Sequence, residues 1–199
     1  SLAHNGVLFL DEVPEYSRQV LEVLREPLES GEIWISRAAQ QVRYPAHFQL
    51  IAAMNPCPCG YFGDDTRQCD CSAQQIHRYR SRLSGPLLDR IDLHIEVPPL
   101  PTGTLSDKTT VEPKNCELKA TIANTRTLML ERQGMLNSNL NNQQIARHCK
   151  LSKGDVRILD DAVNQLGISA RGYFKILKVA RTIADLSGIN RIATSHLVE

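Results

Sequence analysis

The sequence lacks the phosphate-binding signature G-x-x-x-x-G-K-[ST], so it offers no loop of backbone amides with a lysine to hold nucleotide phosphates. It contains no apolar run of transmembrane length and no recognisable secretory signal. An excess of one charge sign is also missing, since 23 Lys and Arg stand against 22 Asp and Glu. The net charge of +1 excludes a uniformly basic surface, and any basic surface must be local.

What remains is ordinary globular material. The chain has 199 residues, of which 42% are hydrophobic and 23% are charged, enough for one or two domains with hydrophobic cores. Residues 102–114 are rich in Thr, Ser, Pro and charge and poor in apolar residues, which predicts a linker. We therefore expect two parts, residues 1–101 and residues 115–199.

The most informative stretch is residues 6–12, in which four consecutive apolar residues lead directly into Asp11 and Glu12. Such a run predicts a strand buried on both faces of a parallel sheet, with the acids at its ligand-binding carboxyl end. Nucleoside-triphosphate enzymes use this arrangement as the Walker B element. There the first acid helps to hold Mg²⁺, and the second orients the attacking water. The alternative is a core strand that ends in an acidic surface turn.

Further strands are predicted after this pattern. Residues 48–54 form a second apolar run that ends at Asn55, whose amide could position a water or contact a terminal phosphate. Residues 91–97 alternate apolar and polar side chains, which predicts another strand. Residues 32–37 and 41–44 predict the two strands of a hairpin.

Two helices are predicted in the same part of the chain. Residues 17–26 have an amphipathic pattern that Pro27 ends or kinks. A second helix begins at Ser72 with a capping box. It carries three arginines that form either a phosphate-binding cluster or a solvated face, and these are Arg78, Arg80 and Arg82.

Four of the six cysteines lie within fifteen residues, as the C-x-C pairs Cys57, Cys59 and Cys69, Cys71. Tetrahedral Zn²⁺ takes four thiolates brought together by tight turns, although C-x-x-C is the commoner spacing. The alternatives are disulfides, which a reducing compartment disfavours, and four free thiols.

Together with Leu-Leu-Asp-Arg-Ile-Asp-Leu at residues 87–93, these features resemble the magnesium-chelatase-like ComM family of bacterial AAA+ ATPases. The shared order is Walker B, sensor 1 at Asn55, and a segment whose arginine, here Arg90, is the arginine finger in the branch that includes MCM helicases. The Asn-Pro-Cys-Pro-Cys-Gly segment makes the resemblance specific, and it covers nearly the whole chain.

The resemblance implies an α/β fold, in which a partial AAA+ core without its phosphate-binding half is followed by an all-helical lid. Because that loop lies upstream of Walker B in the family, we expect this chain to be a C-terminal portion of a larger ATPase and to be inactive alone. The implied cofactors are ATP and Mg²⁺. The implied assembly is a homo-oligomeric, hexameric ring, and the implied location is the cytoplasm, with no membrane partner.

The predicted lid consists of helices over residues 115–133, 142–149, 152–166 and 170–186, with another beginning at residue 194. Ser152 and Gly167 are the expected caps of the third helix. By resemblance, Arg171 matches sensor 2, an arginine that reaches a nucleotide phosphate. The alternatives are a plain surface arginine, or Arg181 in that role.

The resemblance also suggests a substrate. Relatives in this branch point the hairpin into the central pore of the ring, so Arg37 and Arg43 are candidate DNA contacts, although solvated arginines are ordinary on such hairpins. We expect a DNA motor of the helicase or branch-migration type, acting in natural transformation or recombination. The alternatives are a chelatase-like ATPase that remodels a protein partner, and a zinc-stabilised adaptor without ATPase activity.

Overall fold

The computed structural model describes residues 2–37, 40–98 and 115–199. The chain divides into two compact units, Ser1–Pro99 and Leu100–Glu199, which we call the N-terminal and C-terminal units. The linker predicted for residues 102–114 lies outside the described residues. Among the helices that the structure describes, none combines the length and the apolar composition that crossing a bilayer requires.

The N-terminal unit contains two small sheets. Strands β1 (Gly6–Leu10) and β4 (Phe48–Ala52) pair in parallel, with Leu8 opposite Leu50. Strands β2 (Glu32–Arg37) and β3 (Gln40–Pro45) form an antiparallel hairpin. The apolar runs therefore form strands as predicted, and the α/β class is confirmed.

The prediction that β1 is buried on both faces was wrong. Side chains alternate along the strand, so that Leu8 and Leu10 are partly buried whereas Val7 and Phe9 are 54% and 58% exposed. Ile51 on β4 is 43% exposed. Among the described residues the parallel sheet has two strands and is covered on one face, so half of its apolar side chains stay in contact with solvent.

The strand predicted for residues 91–97 is also absent from the described structure, where this segment has no regular secondary structure. Its apolar side chains are exposed, with Leu93 at 62%, Ile95 at 78% and Val97 at 84%. A strand needs a neighbour for its backbone hydrogen bonds, and among the described residues this segment pairs with no strand.

The helices of the N-terminal unit are short: α1 (Arg18–Val23), α2 (Arg25–Ser30), α3 (Ala73–Arg80) and α4 (Gly85–Leu88). The predicted helix over residues 17–26 is interrupted at Leu24. Pro27 explains the break, because its ring clashes with the carbonyl four residues earlier, the last of α1. One small buried hydrophobic cluster of this unit consists of Val13, Leu21, Leu83 and Leu87.

The described residues of the C-terminal unit form helices joined by loops and contain no strand: α5 (Asn115–Gln133), α6 (Asn142–His148), α7 (Lys153–Leu166), α8 (Ala170–Leu186) and α9 (Thr194–Val198). The predicted helices are confirmed. The Ser152 hydroxyl accepts the N–H of Asp155, and Gly167 ends α7 with a φ of +64°, a conformation that glycine adopts without cost.

Helix α8 is the centre of the C-terminal unit. Its buried residues pack with side chains from the surrounding helices, and the cluster comprises Leu140, Ile145, Cys149, Leu159, Leu177, Ala180, Ala184 and Ile192. At the end of α8, buried Asp185 accepts hydrogen bonds from Arg181, Arg132 and Asn137. This network satisfies the buried charges within the unit.

Candidate functional site

Three of the predicted site residues lie at one edge of the parallel sheet. Asp11 and Glu12 follow β1 directly, and Asn55 lies three residues beyond the end of β4. Two hydrogen bonds continue the pairing past the strand ends, from the Ala53 N–H to the Leu10 carbonyl at 2.8 Å and from the Val13 N–H to the Ala53 carbonyl at 3.0 Å. The chain segments that carry the acids and the amide are therefore held side by side, and all three side chains are exposed.

Glu12 has an unusual backbone conformation. Its φ of 48° and ψ of 47° lie in the left-handed region, which costs a residue with a side chain about 1–2 kcal/mol. The Asp11 carboxylate accepts the Glu12 N–H at 2.9 Å and stabilises this turn. Strained conformations of this kind are concentrated at functional sites. Here the strain turns the chain sharply between β1 and the 3-10 turn Val13–Glu15, with both carboxylates on the outside.

Asn55 is attached to helix α3 through its backbone. Tyr79 of α3 is buried, and burial raises the pKa of its phenol and outweighs the opposite effect of the nearby Asn55 backbone N–H. The next carbonyl, of Pro56, accepts a hydrogen bond from the Arg80 Nε at 3.1 Å. The last turn of α3 therefore fixes the backbone of the Asn55–Pro56 segment, from which the Asn55 side chain projects.

Arg90, the predicted arginine finger, lies just beyond α4 and is held within its own unit. Its Nε donates to the Arg25 carbonyl at 3.0 Å, its Nη1 donates to the Pro86 carbonyl at 2.6 Å, and its Nη2 forms an ion pair with Glu29. The side chain is 11% exposed, whereas that of Glu29 is 51% exposed. The described partners of Arg90 thus lie on α2 and α4.

Arg171, the predicted sensor 2 residue, lies in the first turn of α8 and is exposed. Ser169 caps this helix by accepting the N–H of Gly172 at 3.2 Å. Arg181, the alternative candidate, is 2% exposed and donates to Asp185 and to the carbonyls of Asn190 and Ile189. Arg181 therefore stabilises the fold and is not presented to a nucleotide.

The two candidate DNA contacts lie on the hairpin. Arg43 is on β3 directly opposite Trp34, its side chain is 59% exposed, and it forms an ion pair with Glu32 at 3.3 Å. Arg37 is the last residue of β2, and its side chain lies outside what the structure describes. Trp34 is 49% exposed beside Arg43, so the hairpin presents a cation next to an aromatic ring.

The four clustered cysteines converge. The Sγ atom of Cys57 lies 3.3 Å from that of Cys59 and 3.7 Å from that of Cys69, and the Sγ atoms of Cys59 and Cys69 are 3.5 Å apart. All four sulfur atoms, including that of Cys71, lie within 4.8 Å of one another, and none is in a disulfide. In a tetrahedral thiolate site with Zn–S distances of about 2.3 Å, the sulfurs are about 3.8 Å apart. The spacing found here therefore suits a metal ion.

Two turns bring the sulfurs together. In the first, the Gly60 N–H donates to the Cys57 carbonyl at 3.1 Å, and Gly60 has a φ of +86° that a residue with a side chain would adopt only with strain. In the second, Cys71 directly precedes Ser72, the N-cap of α3, whose hydroxyl accepts the Gln75 N–H. The start of α3 is therefore part of the cluster.

The short distances between the four sulfur atoms shift the pKa values of the thiols. A backbone hydrogen bond from Tyr61 and the neighbouring thiols lower the pKa of Cys59 to about 6. The Cys71 N–H favours the Cys69 thiolate, but partial burial and the neighbouring thiols outweigh it and raise the pKa of Cys69 to about 12. Partial burial also raises the pKa of Cys71. The arrangement accommodates one thiolate readily and further thiolates poorly unless a cation compensates them.

The sequence did not indicate three residues that contact the site. Arg80 was predicted to lie in a phosphate-binding cluster or on a solvated face, but it donates to the Pro56 carbonyl next to Asn55. Tyr79, on the same helix, is 6% exposed and lies near the Asn55 N–H. Nothing in the sequence indicated that Glu29 pairs with Arg90, because the two residues are 61 positions apart. The apolar neighbours of Tyr79 in α3 were the available hint that one face of this helix is buried.

Comparison with known proteins identifies the family. A profile described as "Magnesium chelatase, subunit ChlI" matches residues 1–105, more than half of the chain, and one described as "Magnesium chelatase, subunit ChlI C-terminal" matches residues 113–199. The chain belongs to the magnesium chelatase ChlI family. The predicted resemblance is thereby confirmed, and the chain is a member of a group of AAA+ ATPases.

Three relatives show where in this family the chain lies. It is 52% identical over its whole length to "Competence protein ComM" of Haemophilus influenzae and 46% identical to "Uncharacterized protein YifB" of Escherichia coli. It is 24% identical, over 98% of its length, to "Magnesium-chelatase 38 kDa subunit" of Acidiphilium rubrum. The chain spans 39% of the first two relatives and 50% of the third. Its similarity to the ComM-like proteins is thus much higher than its similarity to the chelatase subunit.

Proposed function

We propose that the chain supplies the Walker B, sensor 1 and lid parts of a ring-forming AAA+ motor that uses ATP to act on DNA. The observation that carries the proposal is the sheet edge, where paired parallel strands present Asp11, Glu12 and Asn55 together. This is the place where open α/β sheets bind ligands. The chain is one part of such a site, because its sequence carries no phosphate-binding loop.

The exposed donors at this edge fit the cofactors of the family. Asp11 and Glu12 offer carboxylate oxygens, which are the ligands that Mg²⁺ takes in proteins. An ion held there would supply positive charge that offsets the negative charge developing during phosphoryl transfer. Asp11 would hold the ion, Glu12 would orient the attacking water, and the Asn55 amide would contact the terminal phosphate.

Two arginines would complete the site in the assembled protein. Arg171 of the lid would contact a nucleotide phosphate. Arg90 would stabilise charge at the site of a neighbouring subunit in a homo-oligomeric ring. Since Arg90 is paired with Glu29 here, this role requires that the pair open when subunits assemble. A hexameric ring and a cytoplasmic location are parts of the proposal that rest on the family resemblance.

DNA is proposed as the substrate because the ComM-like branch is the nearer one and its Haemophilus member is named a competence protein. The hairpin supports this choice, since exposed Arg43 and Trp34 stand side by side on it. An arginine beside an aromatic ring suits a nucleic-acid strand, which offers both phosphates and stacking faces. The ion pair with Glu32 is solvent-exposed and therefore easily exchanged for a phosphate.

The clustered cysteines would hold one Zn²⁺. Their sulfur spacing is close to that of a tetrahedral thiolate site, and the turns that create it also position the start of α3. Such an ion would close the segment between Cys57 and Cys71, which has no regular secondary structure of its own. We assign it a structural role, because four protein ligands leave no open coordination position.

The salt dependence of DNA binding tests the substrate. Phosphate contacts release counterions, so Arg43→Ala should lower the slope of log affinity against log salt by about one and weaken binding to all sequences alike. Arg126→Ala, which removes an exposed arginine from α5, is the charge-matched control and should leave the slope unchanged. The assay is a titration of the full-length protein with single-stranded and branched DNA, together with ATP turnover.

Absence of both binding and DNA-stimulated turnover on every DNA form would contradict the DNA assignment. That outcome would favour the chelatase-like alternative, in which the motor acts on a protein partner.

A further inference from the structure

The cysteine cluster and Asn55 belong to one closed segment of the chain. Cys57 lies two residues after Asn55, and Cys71 lies directly before Ser72, the N-cap of α3. Helix α3 then runs back, over a rise of about 10 Å, to the point from which the segment departed. Its last two residues are Tyr79 and Arg80, which contact the backbone of Asn55 and Pro56.

These contacts fix the Asn55 backbone from the side of the helix. The Tyr79 ring is 6% exposed, and its phenol oxygen lies near the Asn55 N–H. Arg80 donates to the Pro56 carbonyl at 3.1 Å, and its guanidinium carbon lies 5.1 Å from the centre of the Phe62 ring. Phe62 belongs to the loop between the two cysteine pairs, so Arg80 bridges that loop and the residue after Asn55.

We infer that the metal-loaded cysteine cluster, acting through Tyr79 and Arg80, positions Asn55 at the nucleotide edge of the sheet. The inference rests on the roles proposed above for the cluster and for Asn55. It makes Tyr79 and Arg80 positioning residues, because they reach the nucleotide only through the Asn55 segment.

The physical argument is loop closure. Fifteen residues, 57–71, carry no helix or strand in the structure, and their conformational freedom in the metal-free state works against a fixed start for α3. A metal bound by both cysteine pairs joins the two ends of this segment within one coordination sphere. The end of α3 then meets Asn55 in a fixed place. Asp11 and Glu12 are independent of the cluster, since they are attached to β1.

Hydrogen exchange of the Asn55 amide in the full-length protein tests the inference directly. With zinc bound, this amide should be protected, because its N–H lies near the buried Tyr79 phenol and the hydrogen bond from Arg80 to the Pro56 carbonyl holds its segment on α3. After zinc is removed by a chelator, or in Tyr79→Phe with zinc still bound, exchange should be about tenfold faster, as expected when local opening becomes easier by about the free energy of one hydrogen bond. Overlapping peptides that span residues 52–62 resolve this position by mass spectrometry, and elemental analysis gives the zinc content of each sample.

Neighbouring residues of α3 provide matched controls. Arg80→Ala should also accelerate exchange at Asn55, and Arg80→Lys, which keeps a cationic donor, should restore part of the protection. Arg78→Ala removes an exposed arginine from the same helix and should leave both exchange and zinc content at wild-type values.

In ATP turnover, Tyr79→Phe should lower kcat and leave ADP affinity unchanged, because Asn55 is assigned to the terminal phosphate.

The outcomes separate this inference from the proposals on which it rests. One zinc per chain, with Asn55 exchange unaffected by chelation, would overturn the coupling and leave the metal site standing. A protein that binds no zinc would overturn both. A zinc-dependent exchange pattern in a full-length protein without ATPase activity would contradict the motor proposal and retain the mechanical link between cluster and Asn55.

Discussion

The two units of the chain differ in where their polar groups are used. In the C-terminal unit, the charged residues Arg132, Arg181 and Asp185 satisfy one another beside a helical core. In the N-terminal unit, Asp11, Glu12 and Asn55 are exposed at the edge of a sheet that has one apolar face uncovered among the described residues. The first arrangement stabilises a fold, whereas the second leaves carboxylate and amide groups accessible to a ligand.

The difference extends to what holds each unit together. The C-terminal unit has caps at its helix ends and a contiguous cluster of buried apolar residues around α8. The N-terminal unit buries the smaller cluster around Leu21 and Leu87, and contains a fifteen-residue segment without regular secondary structure between its cysteines. We therefore expect the N-terminal unit to depend on a bound metal and the C-terminal unit to depend on its own packing.

The largest expected effect is on the C-terminal unit. Asp185→Ala should lower its free energy of unfolding by about 3–5 kcal/mol, because two arginines would lose their buried counter-charge. Far-UV circular dichroism during urea unfolding measures this loss. Asp160→Ala on the exposed face of α7 is the control, with an expected change below about 0.5 kcal/mol. A loss as small as that of the control would mean that the network is not structural.

Removal of the metal should affect the other unit. Closing a loop of about fifteen residues is worth about 3 kcal/mol, so a chelator should lower the stability of the N-terminal unit by about that amount. The single tryptophan, Trp34, reports on this unit by fluorescence. The helical signal of the C-terminal unit should be unaffected, since the two cores share no residue.

Cysteine variants provide the matched comparison. Cys69→Ser should abolish stoichiometric zinc, whereas Cys116→Ser, an exposed cysteine of α5, should retain it. A Trp34 transition that responds neither to zinc nor to chelator would contradict the metal site.

The smallest expected effect concerns the ion pair between Arg90 and Glu29 in the N-terminal unit. Glu29→Gln should change the free energy of unfolding by less than about 1 kcal/mol, because Glu29 is half exposed and the carbonyl partners of Arg90 remain. If Arg90 acts on a neighbouring subunit, its release should raise the ATP turnover of the full-length protein by up to about fivefold.

Glu22→Gln is the control, because it removes a partly buried carboxylate of α1 that pairs with Arg25 and not with Arg90. Turnover that is the same in both variants would argue that the pair with Glu29 does not restrain Arg90.

The predictable parts of the fold were those set by local chemistry. Ser152 and Gly167 mark the ends of α7, and the apolar run before Asp11 marks β1, because caps and periodicity act within a few residues. The strand predicted for residues 91–97 failed because a strand depends on a partner that its own sequence does not specify. The exposure of Phe9 was missed for the same reason, since burial depends on what covers the sheet.

In the candidate site, too, the features set by nearby residues were predictable, and those set by distant residues were not. The order of Asp11, Glu12, Asn55 and the cysteines was visible in the sequence, because each follows a strand or forms a close pair. The supporting contacts were not visible. Tyr79 is 24 residues from Asn55, and such contacts follow from the path of the folded chain.

The most direct test of the account concerns Glu12 in the full-length protein. Glu12→Gln should bind ATP with wild-type affinity and lose at least about a hundredfold in turnover, because the carboxylate is assigned to the water and not to nucleotide binding. Glu15→Gln, three residues further on and also exposed, should keep wild-type turnover. Equal turnover in the two variants, or loss of ATP binding in Glu12→Gln, would contradict the assignment of the sheet edge as a hydrolytic site.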